Sequence, residues 1–163
     1  MPDGLYEHDA LLWSERQVAL LRRLAAGERV NDAVDWPRVI EEVEDVGLSG
    51  LRACRSLLRQ ALIHLLKLHA WPDSPAVLHW RGEAAVFLAD AEDCLTPSMR
   101  QRIELDLLYA KALNLSNEAM DRNDGTRPLP DTCPFALNDL LGGLLDVKAL
   151  VAKLDGGAGG GLP

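Results

Sequence analysis

The chain has 163 residues, of which 25 are acidic and 17 are basic, so that its net charge is −8; 48% of the residues are apolar. A negative surface repels nucleic acids and anionic membranes, so we expect neither as a partner. Leu and Ala dominate while β-branched residues are scarce, which favours helices over strands.

The overall prediction is an all-α protein. We expect one domain over residues 1–154, built as a bundle of about five to six helices, and a flexible glycine-rich tail at 155–163. The N-terminus lacks the basic and apolar regions of a signal peptide, and no apolar run is long enough for a membrane span. We therefore expect a cytoplasmic protein. Its cysteines, Cys54, Cys94 and Cys133, have no paired spacing and indicate no disulfide framework.

The first predicted helix runs from about Leu5 to Ala26 and ends at Gly27. Tyr6, Asp9 and Trp13 are spaced i, i+3 and i+7, so they should share one helix face. Two aromatic residues flanking an acid are unusual on a solvent-exposed face. We expect this face to point at the core.

The central helix is predicted to run from about Trp36 to Ala70, with Pro37 in its first turn. Small and apolar residues recur there at steps of three and four, the period of one helix face. These positions are Trp36, Ile40, Val43, Gly47, Gly50, Cys54, Leu58, Ala61, Leu65 and Leu68. The stripe passes through Gly47 and Gly50 without changing phase, which favours one kinked helix over a helix–turn–helix, the alternative. Glycines on the core side would let a neighbouring backbone approach closely.

The opposite face of the central helix carries acids first and bases later, as the helix dipole favours. Glu41, Glu42 and Asp45 precede the basic residues Arg52, Arg55, Arg59 and Lys67. A solvated face explains this order better than a metal-binding acidic cluster does.

Two further helices are predicted from proline start signals. Ser74 and Pro75 should start one that runs to about Asp93, with an apolar stripe at Val77, Trp80, Ala84, Phe87, Leu88 and Ala91 and with His79 on its polar side. Thr96 and Pro97 should start the next, which runs to about Met120.

The helix at 97–120 has two apolar faces, which predicts neighbours on both sides. One face consists of Leu105, Leu108, Ala112, Leu115 and Ala119, and the other of Ile103, Leu107 and Ala110. The second neighbour is either the C-terminal helix or another subunit, so Ile103, Leu107 and Ala110 form a candidate homodimer surface. A final helical segment, from about Phe135 to Leu154, should break at Gly142 and Gly143.

Several motifs together resemble a bacterial family known as domain of unknown function 29, from Tyr6 to about Leu141. They are the Y-x-x-D-x-x-x-W pattern that starts at Tyr6, the acidic segment at 40–47, the His64 to Lys67 run, Trp80, the segment at 96–100, the Tyr-Ala-Lys-Ala run at 109–112, and Cys133-Pro134. Leu68 stands where the family usually has Trp, and the arginines that usually follow Trp80 are missing. The resemblance implies a mostly helical prokaryotic protein and implies no activity.

No nucleophile elbow, phosphate loop or paired-cysteine motif is present, so the residues do not establish an enzyme. His64 and His69 are five residues apart, about 140° around a helix, and cannot share one ligand. No Glu-x-x-His pair of a di-metal bundle occurs. We therefore predict no cofactor and no metal site. A metal site that uses Glu44, His64 or His69 is the minor alternative.

The most specific prediction concerns the side chain of Asp9. A buried carboxylate needs a partner, and His64 and Lys67 lie at the edge of the apolar face of the central helix. We hypothesise that Asp9 bonds to one of them; the alternative is a solvated Asp9 near a helix start. The candidate ligand-pocket residues are Tyr6, Asp9, Trp13, Glu44, His64 and Lys67.

Two functions remain open. The first is a non-enzymatic helical protein that acts through protein–protein contacts. The second is a helical bundle that binds a metal or a small ligand in a polar pocket near Asp9, His64 and Lys67.

Overall fold

The structure, a computed structural model, describes residues 4–119 and 126–157. Within these ranges the chain is helical and has no strand, which confirms the all-α prediction. The helices are α1 (Leu5–His8), α2 (Ala10–Ala25), the 3-10 helix η1 (Asn31–Ala33), α3 (Trp36–Ala70), α4 (Val77–Cys94), α5 (Pro97–Arg100), α6 (Leu105–Ala119), α7 (Leu137–Leu140) and α8 (Val147–Gly157).

The central helix α3 forms as predicted, from Trp36 to Ala70 without a chain reversal. Gly47 and Gly50 lie inside it, so the helix–turn–helix alternative is wrong. The chain divides into two compact units, an N-terminal unit (Met1–Ser49) and a C-terminal unit (Gly50–Pro163). The boundary therefore falls inside α3, beside Gly50, and the second half of α3 belongs to the C-terminal unit.

The core of the C-terminal unit is built around the second half of α3. Cys54, Leu58, Ala61 and Leu65 are fully buried there, as their three-and-four spacing predicts. Residues from four other helices complete this core: Ala84, Leu88 and Ala91 of α4, Leu108, Tyr109 and Ala112 of α6, Leu140 of α7, and Leu150 and Leu154 of α8. The predicted stripe of α4 is confirmed at its buried positions, and His79 is exposed.

The first half of α3 differs from the prediction. Ile40 and Val43 are exposed although they belong to the stripe that is buried from Cys54 onward. The periodicity identifies the apolar face correctly, but burial also requires a second surface to cover that face. We also expected a neighbouring backbone to pack closely against Gly47 and Gly50, and this expectation is wrong. A Cβ at Gly50 would meet the Met99 side chain at 2.8 Å, and one at Gly47 would meet nothing within 4 Å.

The N-terminal helix and the helix at 97–120 are each divided in two. Asp9 has a non-helical backbone between α1 and α2, so the single helix from Leu5 to Ala26 is wrong. Thr96 caps α5 with Pro97 in its first turn, as predicted, but α5 ends at Arg100. The chain resumes as α6 at Leu105, which leaves Ile103 between the two helices.

We predicted that both apolar faces of the segment at 97–120 are buried, and this holds only in part. Leu108 and Ala112 are buried, whereas Leu115 and Leu107 are about half exposed. The buried face of α6 includes Tyr109 and Ser116 instead.

Smaller corrections concern helix ends. Ser74 does not cap α4, which begins at Val77 after the N-cap residue Ala76. The break at Gly142 and Gly143 is confirmed by the separation of α7 from α8. Helix α8 continues to Gly157, inside the segment expected to be a flexible tail; residues 158–163 lie outside the described ranges. None of the helices described is long and apolar enough to cross a membrane.

Candidate functional site

A cluster of aromatic and charged side chains holds the N-terminal unit together. Tyr6 of α1 meets Trp13 of α2 edge to face, with ring centroids 5.0 Å apart. Trp13 is buried and donates from Nε1 to the Asp35 carboxylate across 3.2 Å. The Asp35 backbone amide in turn donates to the Gln17 side chain across 2.9 Å. These contacts tie α1 and α2 to the residue that precedes α3.

The second half of this cluster lies on the first turns of α3. Tyr6 Oη donates to Glu42 across 2.5 Å. Arg38 donates to Glu7 across 2.6 Å and to Glu41 across 2.8 Å, and its guanidinium lies 4.5 Å from the centre of the Tyr6 ring. Each carboxylate here therefore has a donor, and the arginine has two acceptors and an aromatic face.

The electrostatics of the cluster favour fixed charges over proton transfer. The hydrogen bond to Glu42 raises the pKa of Tyr6, so its hydroxyl remains a neutral donor. The hydrogen bond to Glu41 raises the pKa of Arg38, which remains a cation. A catalytic acid or base needs a pKa near the working pH, and these two shifts lead away from it. The arrangement suits recognition or structural support.

A cavity of about 700 Å³ lies against this cluster. Its lining comes entirely from the N-terminal unit: Gly4, Leu5, Tyr6, Glu7, Trp13, Arg16, Gln17, Leu20, Ala33, Asp35, Pro37 and Arg38. The volume is in the range of small-molecule pockets. Tyr6 and Trp13 thus border a cavity, together with Gln17, Asp35 and Arg38, which sequence reasoning missed. Gln17 follows Trp13 by four residues, and that spacing could have identified it.

Asp9 does not lie on a buried face. It is exposed, and its side chain caps α2 by accepting a hydrogen bond from the Leu12 amide across 2.9 Å. The solvated alternative therefore describes Asp9, because a carboxylate at a helix start is satisfied by backbone donors. The expected bond to His64 or Lys67 depended on a buried carboxylate, and the exposed Asp9 does not need such a partner.

The remaining candidates are not among the residues that line this cavity. Glu44 is exposed on α3. His64 belongs to the C-terminal unit, where Nδ1 lies 2.8 Å from the Gln60 carbonyl oxygen and the ring lies 5.4 Å from that of Phe87. The Lys67 ammonium lies 5.8 Å from the Trp80 ring centre. These side chains are engaged by neighbours in their own unit.

His69 has a different environment from His64. It is buried, and Nε2 lies 3.1 Å from the Pro128 carbonyl oxygen. Nδ1 lies 2.9 Å from Asp155, although off the direction of a good hydrogen bond. This histidine therefore joins the end of α3 to α8. In the described ranges, no three His, Cys, Asp or Glu side chains are grouped as metal ligands.

Comparison with known proteins agrees with this architecture. The fold is similar to the crystal structure of an alpha-helical protein of unknown function from Rhodospirillum rubrum, with 29% sequence identity and a TM-score of 0.69. The similarity covers 91% of this chain and 96% of that one. No curated protein matches the sequence. Residues 5–143 match the family described as domain of unknown function DUF29, and the chain belongs to this family.

Proposed function

We propose that the protein is a non-enzymatic helical interaction protein of the cytoplasm, and that it binds a partner protein along the first half of α3. The observation that carries the proposal is the exposure of three apolar residues there: Ile40 is 54% exposed, Val43 69% and Val46 77%. Exposed apolar side chains grouped on one helix are typical of interaction sites. Covering them would recover hydrophobic free energy of about 25 cal/mol per Å².

The stripe has the geometry of a helix-packing surface. Ile40, Val43 and Gly47 follow the same spacing as Cys54 and Leu58, which are buried in a helix-packed core. Apart from the helix itself, no described residue has an atom within 4 Å of the position that a Cβ at Gly47 would occupy. A partner helix can therefore approach the α3 backbone closely at this point.

The charge of this segment indicates the chemistry of the partner. Residues 36–49 carry one arginine, Arg38, against four acids, Glu41, Glu42, Glu44 and Asp45. A second copy of the chain on this surface would bring the same acids together, which is unfavourable. A cationic amphipathic helix offers an apolar face to the stripe and basic flanks to the acids, and it is the partner that we propose.

A synthetic helical peptide with a leucine face and lysine flanks tests the proposal. We expect saturable binding, and Val43→Asp should weaken it by about tenfold or more, because a charge in the middle of an apolar contact is desolvated without a partner. Leu115→Asp is the matched control, since Leu115 is also 50% exposed but lies on α6. Equal affinity of both variants, or equal binding of a peptide with glutamine in place of lysine, would contradict the proposal.

Binding of a small ligand is a second candidate function, and the cavity beside Tyr6 and Trp13 favours it. The lining offers aromatic faces, the Gln17 amide and the guanidinium of Arg16. A fluorescence screen of small molecules on Trp36→Phe protein, in which Trp13 is the tryptophan nearest the cavity, would find such ligands. A hit that also binds Trp13→Ala protein unchanged would not occupy this cavity.

Self-association through Ile103, Leu107 and Ala110 is a separate proposal about oligomeric state. Leu107 is 51% exposed and Ala110 is exposed, whereas Ile103 packs partly against the core. Leu107 would therefore provide most of the contact. Light scattering at micromolar concentration should give a dimer mass for the wild type and a monomer mass for Leu107→Glu. A monomeric wild type would exclude this interface.

A further inference from the structure

The C-terminal unit contains a groove between α4 and α8 that shares no lining residue with the cavity of the N-terminal unit. Two cavities, of about 480 Å³ and 220 Å³, adjoin there. Arg81 of α4 and Val147 and Lys148 of α8 line both of them. We call this feature the α4–α8 groove. The shared lining residues make it one continuous surface.

Two cations face the α4–α8 groove without an anionic partner. Among the ion pairs formed by the described residues, none includes Arg81 or Lys148. Two basic side chains thus line the same surface in a chain of net charge −8, and Asp146 and Asp155 line it as well. An anion placed there would interact with both.

The two acids at the groove are already engaged. Asp146 accepts a hydrogen bond from the Ala149 amide across 3.0 Å and so caps the start of α8. Asp155 lies 2.9 Å from His69 Nδ1 and 3.6 Å from Arg127. These carboxylates thus have partners of their own, and Arg81 and Lys148 are the basic groove residues without an ion pair among the described residues.

The walls on either side of the cations are apolar. Val77, Leu68 and Val151 line the smaller cavity, and Leu78 and Leu145 line the larger one. Leu78 is 76% exposed, so covering it is favourable. A simple inorganic anion would leave these walls in contact with water. A ligand with an anionic head and an aliphatic chain would pair with the two cations and would cover the apolar side chains.

We infer that the α4–α8 groove binds a small amphipathic carboxylate, with its head between Arg81 and Lys148 and its chain along the Val77 and Leu78 walls. Arg81 supplies a planar fork that can hold both carboxylate oxygens, and Lys148 adds a second charge. The groove shares no residue with Ile40, Val43 and Val46, so the two proposals can be tested with separate variants.

Isothermal titration with dodecanoate below its micelle concentration tests this inference. We expect saturable binding of one molecule per chain. Arg81→Gln and Lys148→Gln should each weaken it by about tenfold, since hydrogen bonds to charged groups contribute that much. Neither side chain is buried, so both variants should fold, which circular dichroism and thermal melting verify. Lys111→Gln is the matched control, because Lys111 is an exposed cation of α6 outside the groove.

Two companion ligands separate the chemistry of head and body. Dodecanol, which has the same chain without the charge, and inorganic phosphate, which has charge without the chain, should both bind much more weakly than dodecanoate. Equal binding of dodecanol, equal effects of Lys111→Gln, or no saturable binding would overturn the inference. Sedimentation of the chain with phosphatidylglycerol vesicles, reduced by Arg81→Gln, would also overturn it, because a lipid surface would then be the ligand.

Discussion

Tyr109 donates a hydrogen bond from its hydroxyl to the carbonyl oxygen of Pro130 across 2.7 Å, inside the C-terminal unit. The ring is fully buried on α6, and burial raises the pKa of its hydroxyl above the ordinary value. The group is therefore a neutral donor at any physiological pH. This bond helps to tie the segment after residue 126 to the helical core, because a buried loop carbonyl needs a donor.

Tyr109→Phe should destabilise the protein by about 1–3 kcal/mol, because the Pro130 carbonyl loses its donor in a place that excludes most water. The aromatic packing is retained, so the loss reports the hydroxyl alone. Denaturant unfolding followed by circular dichroism measures it. Tyr6→Phe is the comparison, since that hydroxyl is less buried, and its effect should be smaller. A Tyr109→Phe variant as stable as the wild type would show that water replaces the bond.

Trp13→Phe should cost about 1–2 kcal/mol through loss of the bond to Asp35, and Trp13→Ala about 3–5 kcal/mol through the cavity it leaves. The ring is 7% exposed and is the buried residue of α2. Trp36→Phe serves as the control, because Trp36 donates to Asn31 at the surface. Equal losses for Trp13→Phe and Trp36→Phe would mean that Asp35 finds another donor.

Gly47→Ala should raise the melting temperature by about 2–4 °C, because alanine gains up to about 1 kcal/mol over glycine in a helix and the site is open. Gly50→Ala should gain less, since its Cβ would meet Met99 Cε at 2.8 Å and the flexible side chain must move. Scanning calorimetry compares the two variants. If Gly50→Ala were the more stabilising, Met99 would not be packed against α3 as described.

The Asp139 carboxylate should stabilise the protein in a pH-dependent way. Its hydrogen bonds from Lys153, across 2.7 Å, and from the Ala136 amide hold its pKa below the ordinary value. A depressed pKa stabilises the fold above the pKa of the unfolded chain, and this contribution is lost as the pH falls through the folded pKa. Asp139→Asn should therefore lower the melting temperature at pH 7.

The difference between Asp139→Asn and the wild type should shrink as the pH falls below about 4, where the unfolded carboxyl is protonated. Thermal melts at pH 7, 5, 4 and 3 measure it. Asp73→Asn, at an exposed position, provides the control. A difference that stays constant over this range would show that the amide replaces the carboxylate or that the effect is not electrostatic.

The sequence predicts elements whose signal is local and periodic. The α3 stripe places Cys54, Leu58 and Leu65 in the core because helical spacing determines which residues share a face. The same logic marks Ile40 and Val43 as apolar-face residues. It cannot reveal that the described residues leave them exposed, since the burial of a helix face depends on segments distant in sequence. Their exposure is therefore the part of the prediction that failed.

Helix ends and site contacts are harder to predict, for three physical reasons. The interruption between Arg100 and Leu105 contains no glycine or proline, so no local signal marks it. Asp is a common N-cap residue, so Asp9 could have indicated a helix start. The helical spacing of Tyr6 and Trp13 predicts instead that one helix continues through this position. The Trp13 to Asp35 bond joins residues 22 positions apart, a pairing that only the tertiary fold defines.

The three free cysteines give this protein an internal reporter of core opening. Cys54 has no exposed surface, its thiol and that of Cys94 both point at the Ala91 carbonyl oxygen, and burial raises the pKa of Cys54 to about 12. Alkylation requires an accessible thiolate. Cys94 and Cys133 are partly exposed and should label first. The slow labelling of Cys54 then records how often α3 and α4 separate.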